Sequence, residues 1–264
     1  MNILENKGVA LITGASSGIG ALYADRLARR GYDLILVARN RERLDQLATR
    51  ITTETQRSVE TIVADLGDAM DLSRVEERLR ADTGIVMLVN NAGVGATSSL
   101  LDSDVDSMER MVGLNVNALM RLTYAAAPGF VARGAGSIIN IASVVAVAPE
   151  LLNGVYGASK AFVLAFSQSL RHELADKGVR VQVVLPGATA TDFWSIAGTP
   201  VEHLPANIVM SGEDLVDAAL AGFDLGEFTT VPSLPEVADW DAFEAAREAL
   251  GPKLSLSQAA RRYQ

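Results

Sequence analysis

The chain has 264 residues, 49% of them hydrophobic and 21% charged, enough to bury a full core in one domain. A net charge of -9 supplies no basic field for nucleic-acid phosphates or an anionic membrane, so neither is an expected partner. Cysteine is absent, which excludes disulfides, thiolate metal sites and cysteine nucleophiles, and His172 and His203 stand apart without ligand spacing, so no metal is expected.

In chain order, Glu5 precedes an apolar run over 9–12 that is too short for a signal-peptide core or a membrane span. No later stretch approaches ~20 uninterrupted apolar residues, and the expected location is cytoplasmic. Short runs rich in Val, Ile and Leu then alternate with stretches of helical period, the pattern of parallel strands buried between two helix layers. Strands are predicted over 9–13, 34–38, 59–64, 86–90, 137–141, 181–185 and 228–231. Helices are predicted over 18–30, ending at Gly31, over 41–53, capped by Asn40, and over 159–177, ending at Gly178. Seven strands separated by helices predict a doubly wound α/β fold of the Rossmann kind with a mostly parallel sheet. No repeat or Pro/Gly/Ser-rich linker divides the chain, so residues 1–264 read as one domain.

Residues 187–211 break the alternation, with Gly198, Pro200 and Pro205 as punctuation and Phe193, Trp194 and Ile196 as large apolar residues. A segment placed after a strand's C-terminal end suits a substrate lid; the alternative is an insertion that packs on its own domain. Beyond Pro232 a helix is predicted over 235–250, followed by a short amphipathic tail.

The first predicted strand runs into Thr13-Gly14-Ala15-Ser16-Ser17-Gly18-Ile19-Gly20 and then into a helix. Glycines in such a turn let main-chain N–H groups and the helix N-terminus reach a pyrophosphate with no Cβ in the way. About twenty residues on, where an acid would bind a ribose 2′-hydroxyl, stand Arg39, Asn40 and Arg41, with no acid until Glu42. An arginine there suits a 2′-phosphate, so NADP(H) is expected over NAD(H); the other reading of Arg39 is a solvated loop cation. Further along, Tyr156 and Lys160 stand four apart, on one face of a helix. A free phenol has a pKa of ~10, and a nearby ammonium favours phenolate, which would make Tyr156 a usable general acid or base.

Together these segments resemble the short-chain dehydrogenase/reductase family in its compact form. Over residues 8–192, and in the family's order, 13–20 is similar to its TGxxxGIG motif and Asn90-Asn91-Ala92-Gly93 to its NNAG. Asn115 resembles its catalytic asparagine, Ser143 its catalytic serine, Tyr156 and Lys160 its YxxxK, and Pro186-Gly187 with Thr191 its PGxxxT. The resemblance implies hydride transfer between NADP(H) and a carbonyl or alcohol, with Tyr156 as general acid/base and Ser143 bonding the substrate oxygen. Lys160 should hold the nicotinamide ribose and lower the Tyr156 pKa, while Asn115 holds a water linking Lys160 to solvent. Cofactor contacts are implied for Gly14, Ser16, Ser17, Gly18, Ile19 and Gly20, for Ala92 and Gly93, and for Pro186, Gly187, Thr189 and Thr191 near the nicotinamide. Asp65 and Leu66 are implied at the adenine, although an aspartate after a strand is also an ordinary turn residue. Asn91 is implied near the adenosine ribose and also as a brace of the central sheet.

Val94, Val144, Val145, Val147, Leu151, Leu152, Phe193 and Trp194 suggest an apolar pocket for a medium-sized aldehyde, ketone or secondary alcohol, though they could equally be packing. Relatives of this fold commonly pair through two helices, here 113–133 and 153–177, so a homodimer or homotetramer is expected. Ala125, Ala126 and Ala127 suit close helix approach, while Pro128 should disturb the first of these helices. The alternatives are an NAD-dependent alcohol dehydrogenase of the same fold and a non-catalytic NADP(H)-binding redox sensor, separated by cofactor preference and by turnover.

Overall fold

The computed structural model describes residues 6–263, so Glu5 lies outside the described residues. The chain divides into two compact units, Met1–Pro232 and Ser233–Gln264. In the first, the apolar runs form β1 (Val9–Thr13), β2 (Asp33–Ala38), β3 (Val59–Val63), β4 (Ile85–Asn90), β5 (Gly136–Ile141), β6 (Val179–Val184) and β7 (Thr229–Thr230). They lie in the order β3-β2-β1-β4-β5-β6-β7 with every pairing parallel, so the sheet is a doubly wound Rossmann sheet without an antiparallel edge. Chain order reverses between β1 and β4, which opens a crevice at their C-terminal ends.

The connecting helices are α1 (Gly18–Arg29), α2 (Arg41–Thr55), α3 (Ala69–Ala81), α4 (Val105–Val112), α5 (Leu119–Arg133), α6 (Gly154–Leu174), α7 (Phe193–Ala197) and α8 (Gly212–Leu225). Helices α1, α2 and α8 bury residues in one core, and α3, α5 and α6 in the other. Ala10 and Ile12 of β1 face the first core and Leu11 the second, and this two-sided burial explains why the strands read as unbroken apolar runs.

Several element bounds differ from the sequence-based expectation. Helix α6 starts at Gly154, ahead of 159 and in keeping with the 153–177 bounds, because the Asn153 side chain accepts hydrogen bonds from the amides of Val155 and Tyr156. That cap places Tyr156 in the first turn. Helix α5 runs through Pro128; the bond lost there falls at the carbonyl of Tyr124, whose own side chain is exposed, so water can take it. Between α4 and α5 the chain makes a π-helical turn over Gly113–Ala118, which the hydrophobic period did not reveal. In the second unit, α9 (Val237–Glu248) occupies the middle of the expected 235–250. Among the described residues no helix is long and apolar enough to cross a membrane.

Candidate active site

The glycine-rich turn is held by β4 as much as by its own sequence. The Thr13 hydroxyl accepts the amides of Asn91 and Ala92, both at 3.0 Å, and donates to the Val89 carbonyl. In return the Asn91 side-chain amide donates to the carbonyls of Thr13 and Gly14. This crossing leaves no room for side chains: a Cβ on Gly20 would stand 2.3 Å from the Gly14 carbonyl oxygen and 2.5 Å from Asn91 Nδ2. Ser17 precedes α1 but makes no capping bond, so the first amides of α1 face outward from the turn without a side-chain partner. Thr191, in the loop after β6, lies against Gly18, 3.4 Å from where its Cβ would be. A bare helix N-terminus, a turn stripped of Cβ atoms and an overlying loop fit the pyrophosphate of a dinucleotide.

Past β2, Arg39 is exposed and forms no ion pair among the described residues. Asn40 caps α2 by accepting the Arg43 amide, and Arg43 in turn reaches Asp192 at 3.3 Å. Past β3, Asp65 is exposed and its carboxylate accepts the Gly67 amide in a tight turn, while Leu66 is buried.

At the ends of β5 and β6 the remaining predicted residues converge. Ser143 follows β5, donates to the Pro186 carbonyl at 3.3 Å and accepts the Val145 amide, and it lowers the pKa of the neighbouring Tyr156 hydroxyl. Tyr156 and Lys160 are both buried, and the Lys160 ammonium donates to the Ile141 carbonyl at 2.9 Å. Burial pushes the Tyr156 hydroxyl up to about 12, against the lowering effect of Ser143, and pulls Lys160 down to about 8. The ammonium is committed to the Ile141 carbonyl and lies 6.0 Å from the Tyr156 ring centre, so desolvation of the phenolate dominates.

Asn115 sits on the π-helical turn. Its side chain exchanges two hydrogen bonds with the backbone of Val94 and donates to Ser159, whose hydroxyl donates to the Tyr156 carbonyl. Gly93 lets the groups approach: a Cβ there would lie 3.1 Å from Asn115 Oδ1 and 3.5 Å from Lys160 Nζ. In the PG segment, Thr189 is buried, donates to the Gly187 carbonyl and accepts the indole N–H of Trp194 at its own carbonyl.

The segment 187–211 both packs and covers. Trp194 is buried, whereas the Phe193 ring lies 5.7 Å from the Tyr156 ring. Val94, Val145, Leu152 and Phe193 of the expected apolar set gather around Tyr156, while Val147 and Leu151 point to solvent.

Residues 8–199 match the model of the short chain dehydrogenase family. The chain belongs to that family. A short-chain dehydrogenase from Sphingobium yanoikuyae in complex with NADPH is 50% identical, with a TM-score of 0.95 over 97% of this chain and 100% of that one. The bulky-bulky ketone specific alcohol dehydrogenase from Comamonas testosteroni is 47% identical, with a TM-score of 0.90 over 98% and 99% of the two chains. Sulfoacetaldehyde reductase 2 from Chromohalobacter salexigens is 40% identical over 188 residues, 70% of this chain and 74% of that protein. This short-chain dehydrogenase is thus an oxidoreductase that acts on CH–OH groups with NAD(P) as acceptor.

Sequence reasoning missed several residues that shape the site. Ala96, Met108, Met111 and Val155 join the apolar cluster around Tyr156; Met108 and Met111 stand three apart on α4, a spacing that could have flagged them. Beneath it, Asn90 donates to Thr123 and Asn140, and Asn140 to Ser167, a buried polar row tying β4 and β5 to α5 and α6. Nothing in local sequence marks that row, because its members are brought together only by the sheet.

Proposed function

We propose that this enzyme is an NADP(H)-dependent oxidoreductase that interconverts an apolar ketone or aldehyde and its alcohol. The observation that carries this reading is the convergence of buried Ser143, Tyr156 and Lys160 at the ends of β5 and β6, roofed by the apolar ring of Phe193. A Tyr156 hydroxyl with its pKa pushed up to about 12 stays protonated near neutrality and can donate to a carbonyl oxygen. Ser143 supplies a second hydroxyl to the same oxygen, in a site already dry, where such a donor stabilises growing negative charge most effectively. Lys160 lies within reach of Tyr156 on α6 and is the nearby cation that favours proton loss from that region. When bound, NADPH supplies the hydride for the carbonyl carbon.

For the cofactor, the bare N-terminus of α1 and its glycine turn would cradle the pyrophosphate, and Gly93, Pro186, Gly187, Thr189 and Thr191 would line the path to the nicotinamide. Arg39 would meet the 2′-phosphate; its exposure and lack of an acidic partner support that assignment, as does the NADPH complex of the Sphingobium relative. The substrate class is supported by the cluster around Tyr156 and by the bulky ketones named for the Comamonas relative. On α5 and α6, exposed Tyr124 stacks on half-buried Phe166, which in turn stacks on Phe162, an aromatic stripe suited to pairing with a second copy. Light scattering should then give a multiple of the 27.9 kDa chain.

The test is turnover of aromatic and aliphatic ketones with NADPH and with NADH. Activity with NADPH that drops by ~10²–10⁴ in Tyr156→Phe supports the assignment. An unchanged NADPH Michaelis constant in Arg39→Asp would remove the 2′-phosphate reading, and tight NADPH binding with no turnover would point to the sensor.

A further inference from the structure

Three arginines, Arg39, Arg41 and Arg43, stand past the C-terminal end of β2, and Arg39 and Arg43 differ in what they touch. Arg39 is exposed without an ion pair, whereas Arg43 holds the Asp192 carboxylate at 3.3 Å through one Nη1 contact. A guanidinium has five donors in a plane, so Arg43 retains donors for phosphate oxygens while keeping Asp192. Asp192 immediately precedes α7, whose first two residues are Phe193, packed on Tyr156, and Trp194, packed edge-on against Phe193. The far end of α7 is fastened by Thr97, whose amide and hydroxyl both donate to the Ala197 carbonyl at 3.0 Å. At the near end, Asp192 makes no capping bond and reaches across to α2 instead. Just before the Asp192 anchor the chain passes over Gly18 at Thr191, above the turn that would cradle the pyrophosphate.

We infer that Arg43 is a second 2′-phosphate ligand and that, through Asp192, it transmits the presence of that phosphate to α7, settling Phe193 on Tyr156. The inference rests on the NADP(H) reading of Arg39. An exposed ion pair is weakly held because two long side chains must be ordered for a screened attraction. A phosphate that immobilises the Arg43 guanidinium removes much of that ordering loss, so the same Asp192 contact then fixes the start of α7. The 2′-phosphate thus acts on the substrate side of the site from the opposite end of the cofactor.

Trp194 reports on α7 without turnover, and Trp240 is the chain's other tryptophan. In a Trp240→Phe background, adenosine 2′,5′-bisphosphate carries the 2′-phosphate but no nicotinamide. It is expected to lower acrylamide quenching of Trp194 by roughly two- to fivefold, the range an exposed ion pair can supply, whereas 5′-AMP leaves it unchanged. Asp192→Ala should lose this response while binding the bisphosphate within about threefold of the parent, because the phosphate contact itself remains. Arg43→Gln should lose the response and bind the bisphosphate more weakly. A response retained in Asp192→Ala, or increased quenching in the parent, overturns the coupling. Selective binding of the bisphosphate with no change at Trp194 overturns the coupling alone; equal binding of the bisphosphate and 5′-AMP overturns the NADP(H) reading as well.

Discussion

The Phe193 ring rests on Gly95, so closely that a Cβ at residue 95 would stand 2.2 Å from Phe193 Cζ. The missing side chain at 95 therefore sets how near α7 comes to Tyr156. Gly95→Ala must displace the ring, and kcat/KM for a bulky ketone is expected to fall by roughly 10- to 100-fold through misplacement at the site. The dissociation constant for NADPH should stay within about threefold, since Gly95 lies on the substrate side. Equal losses in both, measured by kinetics and fluorescence titration, would mean the substitution disturbs the fold rather than the cover.

Thr13 and Asn91 predict a coupled loss of stability and cofactor binding. Thr13→Val keeps the shape but leaves the amides of Asn91 and Ala92 without their acceptor, at a cost of about 2 kcal/mol. Urea denaturation should show the lower midpoint, NADPH titration a weaker affinity, and Thr13→Ser should restore both. A stable Thr13→Val protein would deny the crossing its importance.

Lys160 predicts a pH-dependent cost of carrying a buried charge. Its pKa is about 8 in the folded chain against 10.5 for an ordinary lysine. Between those values the unfolded chain holds the proton and the folded chain does not, so stability rises with pH across that window and the full cost stands below it. Lys160→Met should then be more stable than the parent at pH 7, by an amount on the order of 3 kcal/mol before lost hydrogen bonding is subtracted. That advantage should shrink as pH climbs from 8 towards 10.5, as followed by thermal melts. An advantage constant with pH would contradict the assignment.

The same two groups shape the rate profile. With Tyr156 protonated through neutrality, kcat/KM for ketone reduction should be level below pH 8 and decline above it, as Lys160 loses its charge near about 8. A profile level to pH 10 would remove the Lys160 charge from the reaction.

Much of the scaffold could be read without coordinates because its causes are local. Continuous apolar runs, the cap at Asn40 and the glycine turn after β1 are properties of a few adjacent residues, and each appears where expected. The spacing of Tyr156 and Lys160 likewise needed only the helical period. The start of α6 reads two ways, at 159 and at 153, because Asn153 looks like any loop asparagine until its side chain meets two amides. The π-helical turn under Asn115 was missed because its extra residue leaves the apolar pattern looking helical. What tertiary structure alone decided are the relations between distant segments: Thr13 with Asn91, Gly95 with Phe193, and Arg43 with Asp192. It also decided the protonation of Tyr156 and Lys160, since spacing puts an ammonium beside a phenol, but burial fixes which charged form is penalised.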